Sequence, residues 1–383
     1  MRVCSSQTFR QLVKCNFQKG RNMATTSTLC NNDEVTFNVK NNKGVITLNR
    51  PKSLNALNLP MINEMYPVLK KWSQENLDMV IIEGAGTKAF CAGGDVVAVT
   101  SAPKEIRGTE KQTEFFKKEY QLNHLIGTLS IPYVALIDGI TMGGGVGLSV
   151  HGKYRVATEQ TLFAMPETGI GLFPDVGGSF FMPKLKGGLG MYLALTGYRL
   201  KGADCVHAGI ATHICKQQEI DNLKNDLLNL ENNGEDNIIA VLNKYDSEFP
   251  KEKFTLENLL PNIDECFMKE SVEDILKCLD TTDNAWSTKT RKQFNSFSPT
   301  SVKITFEQLS RGKQLPTLKE CLQMEYRLAC RCCEDIDFYE GIRALLIDKD
   351  KNPQWQPSSI GEVTESIVER YFSRLPSGRE LEL

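Results

Sequence analysis

The stretch that decides the fold is Val134-Ala-Leu-Ile-Asp-Gly-Ile-Thr-Met-Gly-Gly-Gly-Val-Gly-Leu-Ser-Val150. It begins as an apolar run typical of a strand, breaks at Asp138-Gly139, and reaches three consecutive glycines at 143–145. Because glycine has no Cβ, the backbone at such a turn can approach a ligand closely. The apolar segment after the glycines predicts the start of a buried helix, whose free N–H groups favour an anion.

A second stretch, Ala164-Met-Pro-Glu-Thr-Gly-Ile-Gly-Leu-Phe-Pro-Asp-Val-Gly-Gly178, places two carboxylates in a loop rich in glycine and proline. Glu167 and Asp175 have apolar neighbours such as Phe173, which hinder the ionisation of a carboxyl group. An anion-stabilising backbone together with two such carboxylates predicts an enzyme active site.

The overall composition is that of an ordinary soluble globular protein, with 383 residues, of which 41% are hydrophobic and 24% charged. A formal net charge of −2 gives no general attraction to nucleic acid or to an anionic membrane, so we expect neither partner. No apolar run reaches the roughly 18–20 residues that a transmembrane helix needs. The 12 cysteines are scattered and form no disulfide framework, which favours a reducing compartment.

The N-terminal segment differs from the rest of the chain in its charge. Its first 32 residues contain arginine, lysine, serine and threonine, but no acidic residue occurs before Asp33. This pattern predicts a mitochondrial transit peptide over residues 1–32, the alternative being a leader without function. In either case we exclude the segment from the fold.

The remaining chain divides into an alternating part and an almost entirely helical part. Strand-like and helix-like segments alternate over residues 33–205, which predicts an α/β core that pairs its strands in parallel and carries the active site. Residues 206–383 predict a helical C-terminal region that packs on this core. The predicted core strands are 35–39, 45–48, 79–82, 133–137, 154–157 and 161–164, and the long core helices are 59–72 and 110–129.

Nucleotide-binding, serine-hydrolase and zinc motifs all match poorly. The glycines at 143–147 do not satisfy G-x-G-x-x-G, no P-loop motif occurs, and residues 147–152 miss the spacing of a nucleophile elbow. The Cys-Arg-Cys-Cys segment at 330–333 has a helical pattern, which we interpret as buried thiols rather than a zinc site. The four histidines show no metal-ligand spacing, so we expect no metal.

Two glycine-rich junctions remain, at 91–95 and 142–145. Each can offer one backbone N–H to the same carbonyl oxygen, so that together they form a two-donor oxyanion hole. In other enzymes the loss of one such donor lowers the rate roughly 10²–10³-fold. The alternative interpretation is that these glycines only permit tight packing.

Four segments resemble the crotonase superfamily, also called the enoyl-CoA hydratase/isomerase superfamily. Ala89-Phe-Cys-Ala-Gly-Gly-Asp-Val96 and Gly139-Ile-Thr-Met-Gly-Gly-Gly-Val-Gly147 are similar to its two signatures. The resemblance implies a crotonase-like α/β fold, in which repeated ββα units form a spiral core, with an extended helical C-terminal region. The stretches at 164–178 and 337–357 resemble a mitochondrial branch whose members hydrolyse 3-hydroxyacyl-CoA thioesters in branched-chain amino-acid degradation.

The resemblance also implies which backbone groups bind the thioester. One N–H group would come from Ala92 or its neighbour Gly93, and the other from Gly144. These two donors would bind the thioester oxygen, so Gly144 would contact the substrate directly.

Three carboxylates match functional positions of the hydrolases. Glu167 and Asp175 match the two catalytic carboxylates, and Glu119 matches a position that lines the substrate pocket. All three would therefore contact the substrate. One departure from the hydratases is informative: they carry a second glutamate just after the triple glycine, where this chain has Gly147. Hydration of a double bond by paired glutamates is therefore disfavoured.

The resemblance thus implies an acyl-CoA thioester hydrolase of the mitochondrial matrix. Its partner is a small-molecule substrate that itself contains coenzyme A, and we expect no separate cofactor. A homo-oligomer is compatible with the resemblance, because crotonase relatives often form trimers or hexamers. Two alternatives stay open: an enoyl-CoA isomerase that uses Glu167 alone as a proton shuttle, and a non-catalytic acyl-CoA-binding protein.

Overall fold

The computed structural model describes residues 34–101, 103–231, 234–250 and 252–383. The transit peptide predicted at residues 1–32 lies outside the described residues. Within the described ranges, no helix combines the length and the apolar character that crossing a membrane requires.

The described residues form ten strands in two sheets. The six-stranded sheet has the order β1-β2-β3-β5-β7-β10 and the four-stranded sheet the order β4-β6-β8-β9, numbered along the chain as given below. β1 is antiparallel to β2, and β8 to β9, whereas the other neighbours are parallel. The strands are β1 (Val35–Lys40), β2 (Lys43–Leu48), β3 (Met79–Gly84), β4 (Ala89–Cys91), β5 (Tyr133–Ile137), β6 (Ile140–Met142), β7 (Tyr154–Ala157), β8 (Leu162–Ala164), β9 (Leu200–Lys201) and β10 (His213–Ile214).

Helices cover the sheets and make up most of the C-terminal half of the described chain. The first eight are α1 (Leu59–Gln74), α2 (Val96–Thr100), α3 (Glu110–Gly127), α4 (Gly144–Gly147), α5 (Gly178–Phe181), α6 (Leu189–Thr196), α7 (Asp204–His207) and α8 (Ile220–Leu228). The others are α9 (Glu235–Ser247), α10 (Leu260–Phe267), α11 (Val272–Thr281), α12 (Ala285–Phe294), α13 (Pro299–Gly312), α14 (Leu318–Glu334), α15 (Asp337–Ile342) and α16 (Glu365–Phe372).

The middle of the chain confirms the predicted ββα repeat. Three successive units each give one strand to the large sheet and the next to the small sheet: β3 with β4, β5 with β6, and β7 with β8. A helical segment follows the second strand of each unit, namely α2, α4 and a 3-10 helix at Glu167–Ile170. The result is the spiral core of a crotonase-like α/β fold, followed by a helical C-terminal region.

The small sheet brings three functional loops to one place. β4 and β6 pair in parallel through Ala89↔Ile140 and Cys91↔Thr141, and β6 pairs with β8 through Met142↔Ala164. Because the three strands are parallel, their C-terminal ends lie at the same edge of the sheet. Both glycine-rich turns and the loop that carries Glu167 therefore leave from this edge.

Helix α1 shows how local sequence fixes the start of the core. The Asn58 side chain caps it by accepting a hydrogen bond from the Met61 N–H at 3.0 Å, and a proline occupies its first turn. The apolar side chains of its buried face end at Trp72. The Trp72 ring lies directly against Gly44 of β2, where an added Cβ would come within 2.5 Å of the ring. The helix therefore packs closely on the large sheet.

Most of the C-terminal helices share one apolar core with the sheets, whereas α8 and α9 form a second apolar cluster with the large sheet. A single cluster of buried apolar residues runs from Val35 to Leu381, and α14 packs against α3. The short strand β10 belongs to the large sheet but lies beyond residue 205, so the division placed there stays a prediction. The sequence did not predict α10, α12 and α16. Helix α12 is mostly polar, which explains why its apolar periodicity was not evident.

The cysteines require one correction. Cys266 and Cys278 form a disulfide between α10 and α11, although the scattered cysteines had predicted none. The packing of α10 against α11 brings the two side chains together, and this contact has no signature in cysteine spacing. On α14, Cys330, Cys332 and Cys333 are buried thiols, as the helical pattern predicted.

Candidate active site

A cavity of about 260 Å³ lies where the three loops leave the small sheet. Its lining includes every residue predicted for the site, namely Ala92, Gly93, Glu119, Gly144, Glu167 and Asp175. Apolar walls come from α3 and from Leu346 in the C-terminal region, and no lysine or arginine lines the cavity in the described chain. A larger groove of about 1000 Å³ lies elsewhere and contains none of the predicted site residues.

The structure distinguishes the two candidates for the first oxyanion donor. The N–H of Ala92 donates to the Leu54 carbonyl oxygen at 3.0 Å, and this bond leaves it unable to serve a ligand. The N–H groups of Gly93 and Gly144 have no acceptor among the described residues. Gly93 has a φ of +119°, a backbone conformation that residues other than glycine rarely adopt. Gly93 and Gly144 are therefore the pair that fits an oxyanion hole.

Close packing at Gly144 explains why the two turns need glycine. A Cβ added to Gly144 would lie 2.5 Å from Oε1 of Glu119 and 3.1 Å from the backbone nitrogen of Gly94. A Cβ on Gly145 would collide with the Cys91 carbonyl. Tight packing and a free N–H are therefore combined at the same turn, so the packing interpretation of these glycines does not exclude the oxyanion hole.

The three carboxylates of the cavity are almost completely buried. Glu119, Glu167 and Asp175 are 2%, 5% and 4% exposed. Glu167 begins a 3-10 helix, and its Oε1 lies so near Gly143 that a Cβ there would come within 2.9 Å. Oε2 of Glu167 and Oε1 of Glu119 have no hydrogen-bond partner within the described residues. These unpaired oxygens point to a substrate or water as their partner.

Burial without a cation raises the pKa of each carboxyl group. Burial, followed by the charge of Glu325, raises the pKa of Asp175 to about 7. Burial and then the charge of Asp175 raise the pKa of Glu167 well above its ordinary range. The pKa of Glu119 is raised well above its ordinary range by burial first and then by the charges of Asp175 and Glu167. Buried carboxyl groups with raised pKa values are typical of residues that transfer protons in active sites.

Three further residues that the sequence did not assign to the site contact or adjoin it. Tyr120 lies on α3, and its hydroxyl donates to Oδ2 of Asp175 at 2.9 Å. Leu346 reaches the cavity from a short π-helix at Arg343–Ile347. Glu325 is a fully buried acid on the apolar face of α14. An acid at an apolar helix position was a signal that the sequence did contain.

Gly147 leaves no room for a second catalytic glutamate. A Cβ at this position would lie 2.6 Å from Cβ of Val176 and 2.7 Å from Nδ2 of Asn123. A glutamate there would displace Val176, which directly follows Asp175. Packing at position 147 thus disfavours the paired-glutamate arrangement of the hydratases.

Comparison with known proteins identifies the class. Residues 43–372 match the family model described as enoyl-CoA hydratase/isomerase. This match covers most of the chain, and the chain belongs to the enoyl-CoA hydratase/isomerase family.

Within that family, the chain is similar to two relatives that carry the same name. It is 51% identical over 354 residues to the mitochondrial 3-hydroxyisobutyryl-CoA hydrolase of Danio rerio, covering 91% of this chain and 92% of the relative. It is 50% identical over 349 residues to the protein of the same name from Homo sapiens, covering 90% of each.

Solved structures support the fold. A carnitinyl-CoA dehydratase from Mycobacterium thermoresistibile gives a TM-score of 0.83 at 37% identity, covering 92% of this chain and 99% of that protein. An enoyl-CoA hydratase from Rhodobacter sphaeroides 2.4.1 gives 0.80 at 32% identity, covering 91% and 100%. One of these proteins is named a dehydratase and the other a hydratase, so the shared fold does not by itself identify the reaction.

Substitution of Gly147 tests the packing behind the Asp175 loop. We expect Gly147→Ala to lower the free energy of unfolding by about 1–3 kcal/mol, because the new methyl group overlaps Val176 and Asn123. Urea unfolding measures this change. Gly361→Ala is the control, since nothing lies within 4 Å of a Cβ at that position. Equal stability of the two variants would contradict the close packing.

A pH-dependent stability measurement tests the burial of Asp175. Its pKa is about 7 in the fold against an ordinary 3.8. Between pH of about 4 and 7 the unfolded chain releases this proton while the folded chain keeps it, so the free energy of unfolding falls as pH rises. Asp175→Asn removes this loss and should stabilise the protein by on the order of 2 kcal/mol at pH 8.

Urea unfolding of Asp175→Asn and of the unsubstituted chain at pH 4 and pH 8 provides the comparison. The stabilisation should be present at pH 8 and small at pH 4, where the folded carboxyl group is protonated and the unfolded one is only partly ionised. A variant that is less stable at pH 8 would show that the fold favours the charged carboxylate.

Proposed function

We propose that this protein hydrolyses the thioester of 3-hydroxyisobutyryl-CoA, and also that of 3-hydroxypropionyl-CoA, to the free 3-hydroxy acid and coenzyme A. The reaction belongs to valine catabolism. The observation that carries the proposal is the 51% identity with a named hydrolase over nearly the full length of both chains. The cavity supports it, because its lining combines two buried carboxylates with two N–H groups that have no acceptor among the described residues.

The oxyanion hole supplies the main stabilisation. Attack on a thioester carbonyl places negative charge on its oxygen, and the N–H groups of Gly93 and Gly144 are the donors for this charge. They are held by the small sheet and by close packing, so they need no reorganisation when the charge develops. Interactions that strengthen in the transition state raise the rate of the chemical step.

Glu167 is the residue we propose for the attack. It either activates a water molecule as a general base or attacks the carbonyl itself to give a mixed anhydride that water then opens. Its Oε2 has no hydrogen-bond partner among the described residues, which is compatible with both routes. Since the pKa of Glu167 lies well above its ordinary range, its carboxylate is more basic than an exposed one.

Asp175 and Glu119 complete the pocket. We propose that Asp175 binds the 3-hydroxyl group of the substrate or assists proton transfer to the departing thiolate. The Tyr120 hydroxyl donates a hydrogen bond to Oδ2 of Asp175, so we assign the contact with the substrate to Oδ1. Glu119 lies close to Gly144 and would line the acyl pocket.

The alternatives are an enoyl-CoA isomerase and an acyl-CoA-binding protein without catalysis. Isomerisation needs only Glu167 and would leave the buried Asp175 without a role. A binding protein needs neither acid, and retaining several buried carboxylates in one cavity destabilises a fold. The cavity therefore favours hydrolysis over both alternatives.

We also propose where the reaction takes place and what it requires. The named relatives are mitochondrial proteins, which supports a mitochondrial location and, more narrowly, the matrix, with residues 1–32 as the transit peptide. The proposed chemistry uses carboxylates, backbone N–H groups and water, so it needs no cofactor besides the coenzyme A of the substrate. A homo-oligomer remains part of the proposal.

Substitution of Glu167 tests the proposed reaction. We expect Glu167→Gln to slow thiol release from 3-hydroxyisobutyryl-CoA about 10²–10⁴-fold, because the amide can neither take a proton nor attack. Release is followed with a thiol-reactive dye. Glu114→Gln, on the exposed face of α3, is the matched control and should retain full activity. Full activity of Glu167→Gln would refute the assignment, and double-bond migration in an enoyl-CoA without thiol release would favour the isomerase.

A further inference from the structure

Glu325 of α14 makes an unusual set of hydrogen bonds. Its side chain is 0% exposed, and it forms no ion pair with any described cation. Its carboxylate accepts from the N–H of Gly177 at 2.7 Å, from the N–H of Ser179 at 2.9 Å and from the Ser179 hydroxyl at 2.6 Å. The Gln308 amide also donates to it at 3.3 Å. Two of the four donors are backbone groups just after Asp175.

The backbone that Glu325 binds is held in an uncommon conformation. Val176, which follows Asp175, has a φ of +50°, and Gly177 has a φ of +85°. A positive φ is rare for a β-branched residue and persists only where the surrounding structure holds it. These two residues turn the chain sharply, so their conformation sets the direction of the Asp175 side chain.

Two further side chains fix the same segment. The Gln308 amide donates to the Pro174 carbonyl at 2.7 Å, on the N-terminal side of Asp175. His151 binds the Val176 carbonyl through Nε2 at 2.7 Å. Asp175 is thus flanked by bonded backbone groups on both sides, and Glu325 provides the acceptor for the N–H groups that no helix or strand satisfies.

We propose that Glu325 is a positioning residue for Asp175: it holds the backbone at 176–179 so that the Asp175 carboxylate faces the cavity. The inference rests on the proposed function, since it assigns to Glu325 an indirect part in that reaction. The C-terminal helical region thereby supports an active site whose proposed catalytic residues come from the core.

The charge of Glu325 acts on the same group. After burial it is the largest cause of the raised pKa of Asp175. Glu325 itself has a pKa raised to about 7 by burial. Removal of this charge should therefore shift the pKa of Asp175 downward. The titratable groups that face Asp175 from the elements packed around it are Glu119, Tyr120, Glu167, Glu325 and Cys332.

Kinetics of Glu325→Gln in the full chain test the proposal. The amide keeps the size of the side chain but loses one acceptor and the charge. We expect kcat for thiol release to fall about 10–100-fold with KM within about 3-fold, because a misplacement near 1 Å can cost up to 10²-fold in rate. We also expect the acidic limb of the pH–rate profile to move to lower pH, as the nearby charge is lost.

A second variant separates the effect of the Glu325 charge from the effect of its side-chain length, and a third variant is the control. Glu325→Asp keeps the charge but shortens the side chain, so kcat should fall while the acidic limb stays in place. Asp204→Asn is the matched control, because this buried acid also accepts from one N–H and one hydroxyl, both of Thr255. Its kcat and pH profile should equal those of the unsubstituted enzyme.

The outcomes distinguish this inference from the proposed function. If the unsubstituted enzyme hydrolyses the substrate and Glu325→Gln matches Asp204→Asn in kcat and pH profile, the positioning role is wrong and the function stands. If the unsubstituted enzyme releases no thiol, the function itself fails. Should Glu325→Gln not fold, Ser179→Ala removes one of the four donors, and its kcat must fall about 3–10-fold; an unchanged kcat would overturn the inference.

Discussion

Three carboxylates without a cation in one buried cavity are the constraint on which the rest of this structure depends. Each of Glu119, Glu167 and Asp175 is at least 95% buried, and no described lysine or arginine lines the cavity. Burial and mutual repulsion raise the pKa of each of these groups, so their charged forms oppose folding. The fold must therefore supply stability elsewhere, and its apolar core extends from Val35 to Leu381.

The same constraint explains how the loops are built. A buried acid can act on a substrate only if the protein fixes the orientation of its side chain. Strained backbone and close packing both fix this orientation. The positive φ of Val176 costs on the order of 1–3 kcal/mol. The hydrogen bonds that this segment forms with Glu325, Gln308 and His151 offset that cost. Gly147 makes the arrangement possible by leaving space for the Val176 side chain.

Much of the fold could be predicted from the sequence, because its signals are local. Helix α1 has apolar residues at helical spacing, β5 is a continuous apolar run, and the glycine-rich turns mark the ends of β4 and β6. Glu167 and Asp175 could be predicted because carboxylates in an apolar, glycine-rich loop suggest chemistry. The structure places both of them in the cavity that also contains Glu119.

What could not be predicted depends on contacts between distant parts of the chain. The choice of Gly93 over Ala92 follows from a hydrogen bond to Leu54, which lies in a different loop. The bonds of Glu325 to the Asp175 loop span nearly 150 positions, and the disulfide of Cys266 depends on helix packing. No periodicity or spacing in a single sequence encodes such contacts.

The most direct test of the account is the ratio of kcat/KM for thiol release from 3-hydroxyisobutyryl-CoA and isobutyryl-CoA. These substrates differ by one hydroxyl group, and the polar oxygens buried in the cavity are left unpaired by the substrate that lacks it. Sites built to bind a hydroxyl group reject the analogue lacking it strongly, so we predict a ratio of at least about 100. A ratio near one would contradict the account.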